Sequence, residues 1–185
     1  MSENTKTNNT VTFMFPSDRE IIIARIFDAP RELVWRAWTD PRIVKRWWGP
    51  KGFTTPVCEI DLQIGGKYLY CMRSPEGKDY WGTGVYREIV PLDRVISTDS
   101  FADEKGNVVP ATHYGMSADF PLEMLVAVKF EESEGKTRFT LHHLGIPPGA
   151  DSDGARQGWN ESLDKLAEAL DRLKGKDIMA DSTIA

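Results

Sequence analysis

Histidine and cysteine are scarce: the 185 residues hold three of the first and two of the second. His142 and His143 are neighbours, so on a strand they point to opposite faces and cannot grip one ion together. His113 stands apart in a long polar stretch. So thin a set of ligands leads us to expect no metal centre, and no motif asks for a cofactor. Long apolar runs are missing as well. Nothing approaches the roughly 18 residues of a membrane span, and Met1–Asn9 lack the apolar stretch of a signal peptide. Basic residues are in the minority, 23 Lys and Arg against 28 Asp and Glu, for a formal net charge of −5. That balance argues against nucleic acid or an anionic membrane as a partner. There is no Gly-x-Ser-x-Gly, no His–Glu helix motif and no pair of carboxylates at a readable spacing. Gly82-Thr83-Gly84 is not a phosphate loop, because no helix follows it. These absences point to a cytoplasmic protein with Cys58 and Cys71 as free thiols, whose function depends on the shape of a site. Whether the two cysteines face each other depends on where the Ile64-Gly65-Gly66 turn centres, because a shift of one residue reverses the face.

Aromatic residues, by contrast, are plentiful: six Trp, eight Phe and five Tyr. Either they fill a core or they wall a cavity. The strongest periodic signal lies near the C-terminus. Trp159, Leu163, Leu166, Leu170 and Leu173 make one apolar stripe of a helix over about Asp153–Lys174. Glu161, Lys165, Glu168 and Arg172 make the polar stripe, in two acid–base pairs four residues apart. Asp151, Ser152 and Asp153 offer cap oxygens, and Gly175 is placed to end the helix in a left-handed turn. Such a helix needs a concave partner.

The rest of the chain supplies one. Residues 1–17 read as a disordered arm, 18–175 as one domain and 176–185 as a flexible tail. Arg19–Phe27 is a first strand, followed by short helices over about Pro30–Trp38 and Arg42–Trp48, with Asp40 as a cap for the second. From Val57 onward the period is two. Strands are expected over 57–62, 68–73, 80–90, 95–101, 122–131 and 138–144, and 102–119 is a long irregular loop. Short turns between consecutive strands imply an antiparallel meander. The fold class is α+β: a curved six- to seven-stranded antiparallel sheet wrapped on a long C-terminal helix, with two short helices after the first strand.

This order, together with RIFDAPRELVWRAWTDP (25–41), RWWGP (46–50), DLQIGGKYLYCMRSPEG (61–77), GVYREIVPLDRVIST (84–98), FTLHHLGIP (139–147) and GWNESLDKLAEAL (158–170), resembles the START-like (SRPBCC) helix-grip superfamily. More narrowly it resembles bacterial proteins grouped with the activator of heat-shock-protein-90 ATPase homologue. The likeness runs over about residues 19–174. It implies a ligand cavity between the C-terminal helix and the sheet. The eukaryotic chaperone activators carry a further domain ahead of this one, which about 18 residues cannot supply, so the resemblance argues against chaperone activation here.

The cavity wall is expected from Trp38, Trp48, Phe53, Tyr68, Tyr70, Met72, Trp81, Val126, Leu141, His143, Trp159 and Leu163. Trp47 is assigned to the core beneath the short helices. His143 shares its strand face with Phe139 and Leu141. It is either a hydrogen-bonded core histidine or the one candidate catalytic group. Gly82 and Gly84 serve sheet curvature or close approach. Gly158 costs helix stability, so either a strand passes close by or the cavity needs room beneath Trp159. Arg73 and Glu88 read as a rim ion pair or a ligand contact. Either Tyr114 and Met116 cover the cavity mouth or the 102–119 loop that carries them is disordered. The reading is a binder of a small hydrophobic or aromatic molecule. A cyclase- or dehydratase-like enzyme using the same cavity and a chaperone-cofactor protein of the stress response are the alternatives, and association as a homodimer is left open.

Overall fold

The computed structural model describes residues 18–181, with side chains to Lys176. The expected N-terminal arm, 1–17, lies outside the described residues. The chain runs β1 (Glu20–Phe27), α1 (Arg31–Thr39), α2 (Pro41–Val44), β2 (Thr54–Ile60), β3 (Lys67–Arg73), β4 (Asp79–Val90), β5 (Arg94–Ala102), a 3-10 turn (Ala111–Tyr114), β6 (Met124–Ser133), β7 (Lys136–Leu144) and α3 (Ala150–Asp181). The seven strands form one antiparallel sheet in the order β1-β7-β6-β5-β4-β3-β2. Bulges between Thr54 and Val57 and between Tyr86 and Glu88 interrupt the ladders, and such irregularities help a sheet to curl. The α+β helix-grip architecture is as expected.

The apolar stripe of α3 does what its spacing implies. Leu163, Leu166, Leu170 and Leu173 are buried in one core with Ile21, Val34, Phe130, Phe139 and Leu141, and Trp159 packs against it. Arg25 of β1 reaches Asp164 and the carbonyl of Asn160, tying the first strand to the last helix. Asp40 caps α2, its side chain accepting from the Arg42 N–H at 2.9 Å. Past Val44 the chain keeps turning through Trp48, which is why the expected helix looked longer than the regular one.

Three expectations need correction. The helix does not stop at Lys174, and residues 176–181 are helical rather than a tail. Glycine permits a left-handed turn but does not impose one, and no proline follows Gly175 to force a break. Glu161 and Lys165 do not pair. Lys165 turns inward instead, while Glu168 and Arg172 lie 3.8 Å apart as expected. Arg73 and Glu88 do not pair either. Register sets Arg73 opposite Asp79, at 2.6 Å, and Glu88 meets Arg94. The facing of the cysteines, left open by the sequence, is decided by register: Cys58 lies opposite Tyr70 and Cys71 opposite Val57, so the thiols do not face each other, and both are free.

Among the described residues no helix is long and apolar enough to cross a membrane.

Candidate functional site

The alternation of β3 puts Tyr68, Tyr70 and Met72 on the concave face. Directly across, β4 presents Gly84, Gly82 and Tyr80. The glycines are needed there. A methyl on Gly82 would overlap the Tyr70 ring, and one on Gly84 would overlap the carbonyl oxygen of Thr98 and the Tyr68 ring. Tyr68 and Tyr70 therefore lie down over bare backbone and stack, 5.9 Å between centroids and nearly parallel. Trp48, from the turn after α2, meets Tyr70 at 5.0 Å and Trp159 of α3 at 5.4 Å. Trp38 packs on both Trp47 and Trp159. Trp47 is fully buried and gives its indole N–H to the Ala37 carbonyl at 2.9 Å, the core role expected of it.

Between these rings and α3 is a hollow of about 350 Å³. Its floor is Tyr70, Met72, Tyr80, Asp99, Phe101, Met124 and His143, and its helical wall is Gly154, Ala155, Gly158, Trp159 and Ser162. Met116, Phe120 and Ile146 close the remaining side. A smaller pocket of about 50 Å³ continues beneath Trp48 and Trp159, along Trp38, Tyr68, Tyr86 and Val126. The larger hollow falls in the size range of small-molecule sites.

Nine of the twelve expected wall residues line one hollow or the other: Trp38, Trp48, Tyr68, Tyr70, Met72, Trp81, Val126, His143 and Trp159. Trp81 borders the larger hollow, but it stands opposite Cys71, which turns its side chain to the other face from Tyr70 and Met72. Leu141 and Leu163 are fully buried in the core and line neither hollow. Phe53 lines neither, and its ring meets Tyr80 at 6.2 Å. Gly158 has no strand against it. A methyl there would meet only Pro50, at 3.5 Å, and the residue borders the hollow.

The polar group that the sequence reading missed is Asp99. Its side chain is only 13% exposed and borders both hollows. Oδ1 accepts from the Tyr68 hydroxyl at 3.1 Å, which also donates to the Thr98 carbonyl at 2.7 Å. Oδ2 lies 3.2 Å from His143 Nε2. On its other side His143 Nδ1 accepts the Trp159 indole N–H at 3.0 Å. Indole can only donate, so Nδ1 bears the ring's lone pair and the neutral ring carries its proton on Nε2, toward Asp99. Asp99 could have been found. It follows Val95 and Ser97 at period two on a face that continues to Phe101. The polar run Ser97-Thr98-Asp99-Ser100 hid it, because both faces of β5 look alike there. Burial first, and the charge of Asp99 second, push the phenols of Tyr68 and Tyr70 well above the usual tyrosine range. Both therefore remain protonated donors at neutral pH. His142 points the other way and meets Glu20 at 2.8 Å. Among the described residues no three His, Cys, Asp or Glu side chains gather to hold a metal.

The 102–123 segment carries the 3-10 turn Ala111–Tyr114 and a bridge between Ala102 and Val108. Tyr114 does not line the hollow. Its hydroxyl accepts from the Trp81 N–H and donates to the Ala102 carbonyl, bridging two opposed residues of β4 and β5. Met116 and Phe120 border the hollow.

A curled sheet gripping a long terminal helix around a roofed, aromatic-walled hollow defines a START-like, helix-grip domain. The family model described as Activator of Hsp90 ATPase homolog 1-like protein matches residues 28–171, and the chain belongs to that family. No curated protein matches. Among solved structures, a Chromobacterium violaceum protein is 27% identical, with a TM-score of 0.69 over 82% of this chain and 96% of its own. The AHSA1 protein of Silicibacter pomeroyi is 25% identical, with a TM-score of 0.65 over 82% and 96%. A Nitrosomonas europaea protein, 24% identical, shares the fold with a TM-score of 0.70 over 87% and 99%.

Proposed function

We propose that this chain binds one small, largely apolar molecule in the hollow between α3 and the sheet. The observation that carries the reading is the hollow itself: about 350 Å³, walled by Trp48, Tyr70, Tyr80, Phe101 and Trp159, with Asp99 and His143 together on its floor. Apolar walls supply affinity and a few fixed polar groups supply orientation. The hydrogen bonding of His143 speaks against its acting as the general base of a cyclase- or dehydratase-like enzyme. A general base needs a free ring lone pair, and the lone pair on Nδ1 is already engaged by Trp159. Free thiols on Cys58 and Cys71 suit a reducing cytoplasm.

The test is saturable binding of an apolar fluorophore, N-phenyl-1-naphthylamine, to freshly purified protein, together with native mass spectrometry for a co-purifying molecule. Gly158→Leu puts a side chain into the hollow from α3. The expected result is one site per chain in the wild type, and loss of that site in a Gly158→Leu variant that melts normally. Absence of saturable binding, or binding unchanged in the filled variant, overturns the reading.

The family description supports a second reading, a partner of an Hsp90 ATPase. ATPase stimulation measured with the host's Hsp90 decides it, because a binder of small molecules should leave turnover unchanged.

A further inference from the structure

Resting on the cavity reading above, we infer that the bound molecule carries a hydroxyl group, alcohol or phenol, seated between Asp99 and His143. The Asp99 and His143 side chains are 13% and 7% exposed, and Nε2 of His143 is a buried polar atom without a hydrogen-bond partner among the described residues. Trp159 fixes the proton of neutral His143 on Nε2. That N–H lies 3.2 Å from Asp99 Oδ2, outside hydrogen-bonding geometry, and it has no other partner among the described residues. Asp99 Oδ1 is engaged by Tyr68, and among the described residues no hydrogen bond ends on Oδ2. A donor and an acceptor thus stand side by side at the floor of an apolar hollow, each short of one partner.

A hydroxyl is the smallest group that serves both. Its oxygen accepts from Nε2–H while its hydrogen goes to Oδ2. An ammonium would satisfy the carboxylate but would face the imidazole N–H donor to donor. A carboxylate or phosphate would be repelled, since Asp99, Asp151 and Glu59 are the charged residues on the two walls and no lysine or arginine lines either. An ether or ketone would accept from His143 and leave Oδ2 unserved. Sites built to hydrogen-bond a hydroxyl discriminate sharply against analogues that lack it.

Three matched probes test this by calorimetry: 2-naphthol, 2-methoxynaphthalene and 2-methylnaphthalene. Hydrophobic burial alone favours the methyl compound, which is the most apolar of the three. The inference expects 2-naphthol to bind the wild type about tenfold or more tighter than 2-methylnaphthalene, with the methoxy compound between them. Asp99→Asn and His143→Phe should each narrow that gap by several-fold. If the methyl compound binds the wild type as tightly as the naphthol, the hydroxyl inference fails while the cavity reading stands. A gap unchanged in both variants also overturns it, because the hydroxyl is then recognised elsewhere. If none of the three binds, the cavity reading falls and takes this inference with it. The wild-type comparison alone decides the matter should either variant fail to fold.

Discussion

Tyr70 lies across Gly82, its register partner on the neighbouring strand, where a single added methyl would overlap the phenol ring. Gly84 is more tightly confined, because the nearest atom to an added methyl is the backbone oxygen of Thr98. The end of a side chain can move and a strand's backbone cannot. Gly84→Ala should therefore destabilise the fold by about 1–3 kcal/mol, lowering the melting temperature by about 2–4 °C per kcal/mol at this chain length. Gly82→Ala should cost less stability but displace Tyr70 into the hollow and weaken probe binding. Thermal melts paired with binding titrations separate the two outcomes. Equal losses of stability with unchanged binding would contradict the assignment.

Lys165 seats its ammonium on four backbone carbonyls, those of Trp48 (3.4 Å), Gly49 (3.0 Å), Pro50 (3.4 Å) and Phe53 (3.1 Å). Burial pulls its pKa below the ordinary lysine value. The same loop is also held by Glu161, one turn earlier on α3, which accepts the Lys51 N–H at 2.9 Å. Lys165→Met keeps the stem and removes the donors. Hydrogen exchange of residues 49–53 should quicken while β6 and β7 keep their protection, with a loss of about 1–3 kcal/mol from unserved carbonyls. Uniform faster exchange across the sheet would mean that the lysine acts on the whole fold.

Asp40 tests the acid side. Its carboxyl is held below the ordinary value chiefly by the hydrogen bond from the Arg42 side chain. A folded-state pKa lower than the unfolded one contributes stability that is present above the ordinary carboxylate range and is lost as pH falls through the folded value. Asp40→Ala should be less stable than wild type by about 1 kcal/mol at pH 7, the usual worth of such a cap. The difference should close as the pH drops below about 4 in urea titrations. A gap independent of pH would show that packing, and not the charged cap, is what the aspartate contributes.

Cys58 borders the smaller pocket, and burial pushes its thiol up to about 11. The thiolate is the reactive form, so at pH 8 about one molecule in a thousand carries it. Iodoacetamide labelling followed by mass spectrometry should be slow at neutral pH and rise about tenfold per pH unit through pH 10. A plateau near pH 8.5 would indicate a solvated thiol.

How much of this was legible beforehand depended on how many positions repeated a signal. Trp159, Leu163, Leu166, Leu170 and Leu173 state one helical face five times, and that face is the one that packs on the sheet. Tyr68, Tyr70 and Met72 state a strand face three times, and alternation correctly put His143 inward and His142 outward. Single residues were harder. Asp99 is one acid in a polar strand, and only the fold shows that it lies beside His143 on the floor of the hollow. Lys165 looked like a surface partner of Glu161, because helical spacing cannot see the carbonyls of a loop more than 110 residues away in sequence. Leu141 and Leu163 share faces with cavity residues yet sit where the layers touch, a depth that periodicity does not encode. The remaining side, made by Met116, Phe120 and Ile146, comes from segments with no repeat at all.

The bridge made by Tyr114 limits how a guest can come and go. Its hydroxyl satisfies a backbone N–H of Trp81 and a backbone carbonyl of Ala102, so swinging that part of the loop outward would strand both groups. Opening for a guest is therefore expected beyond Gly115, which takes a left-handed φ of 74°, and would have to break the bond that the Arg19 guanidinium donates to the Asp119 carbonyl. Traffic through so short a gate belongs to the nanosecond-to-microsecond range of loop motion. Exchange of the guest should then run far faster than unfolding and be indifferent to mutations that weaken the sheet.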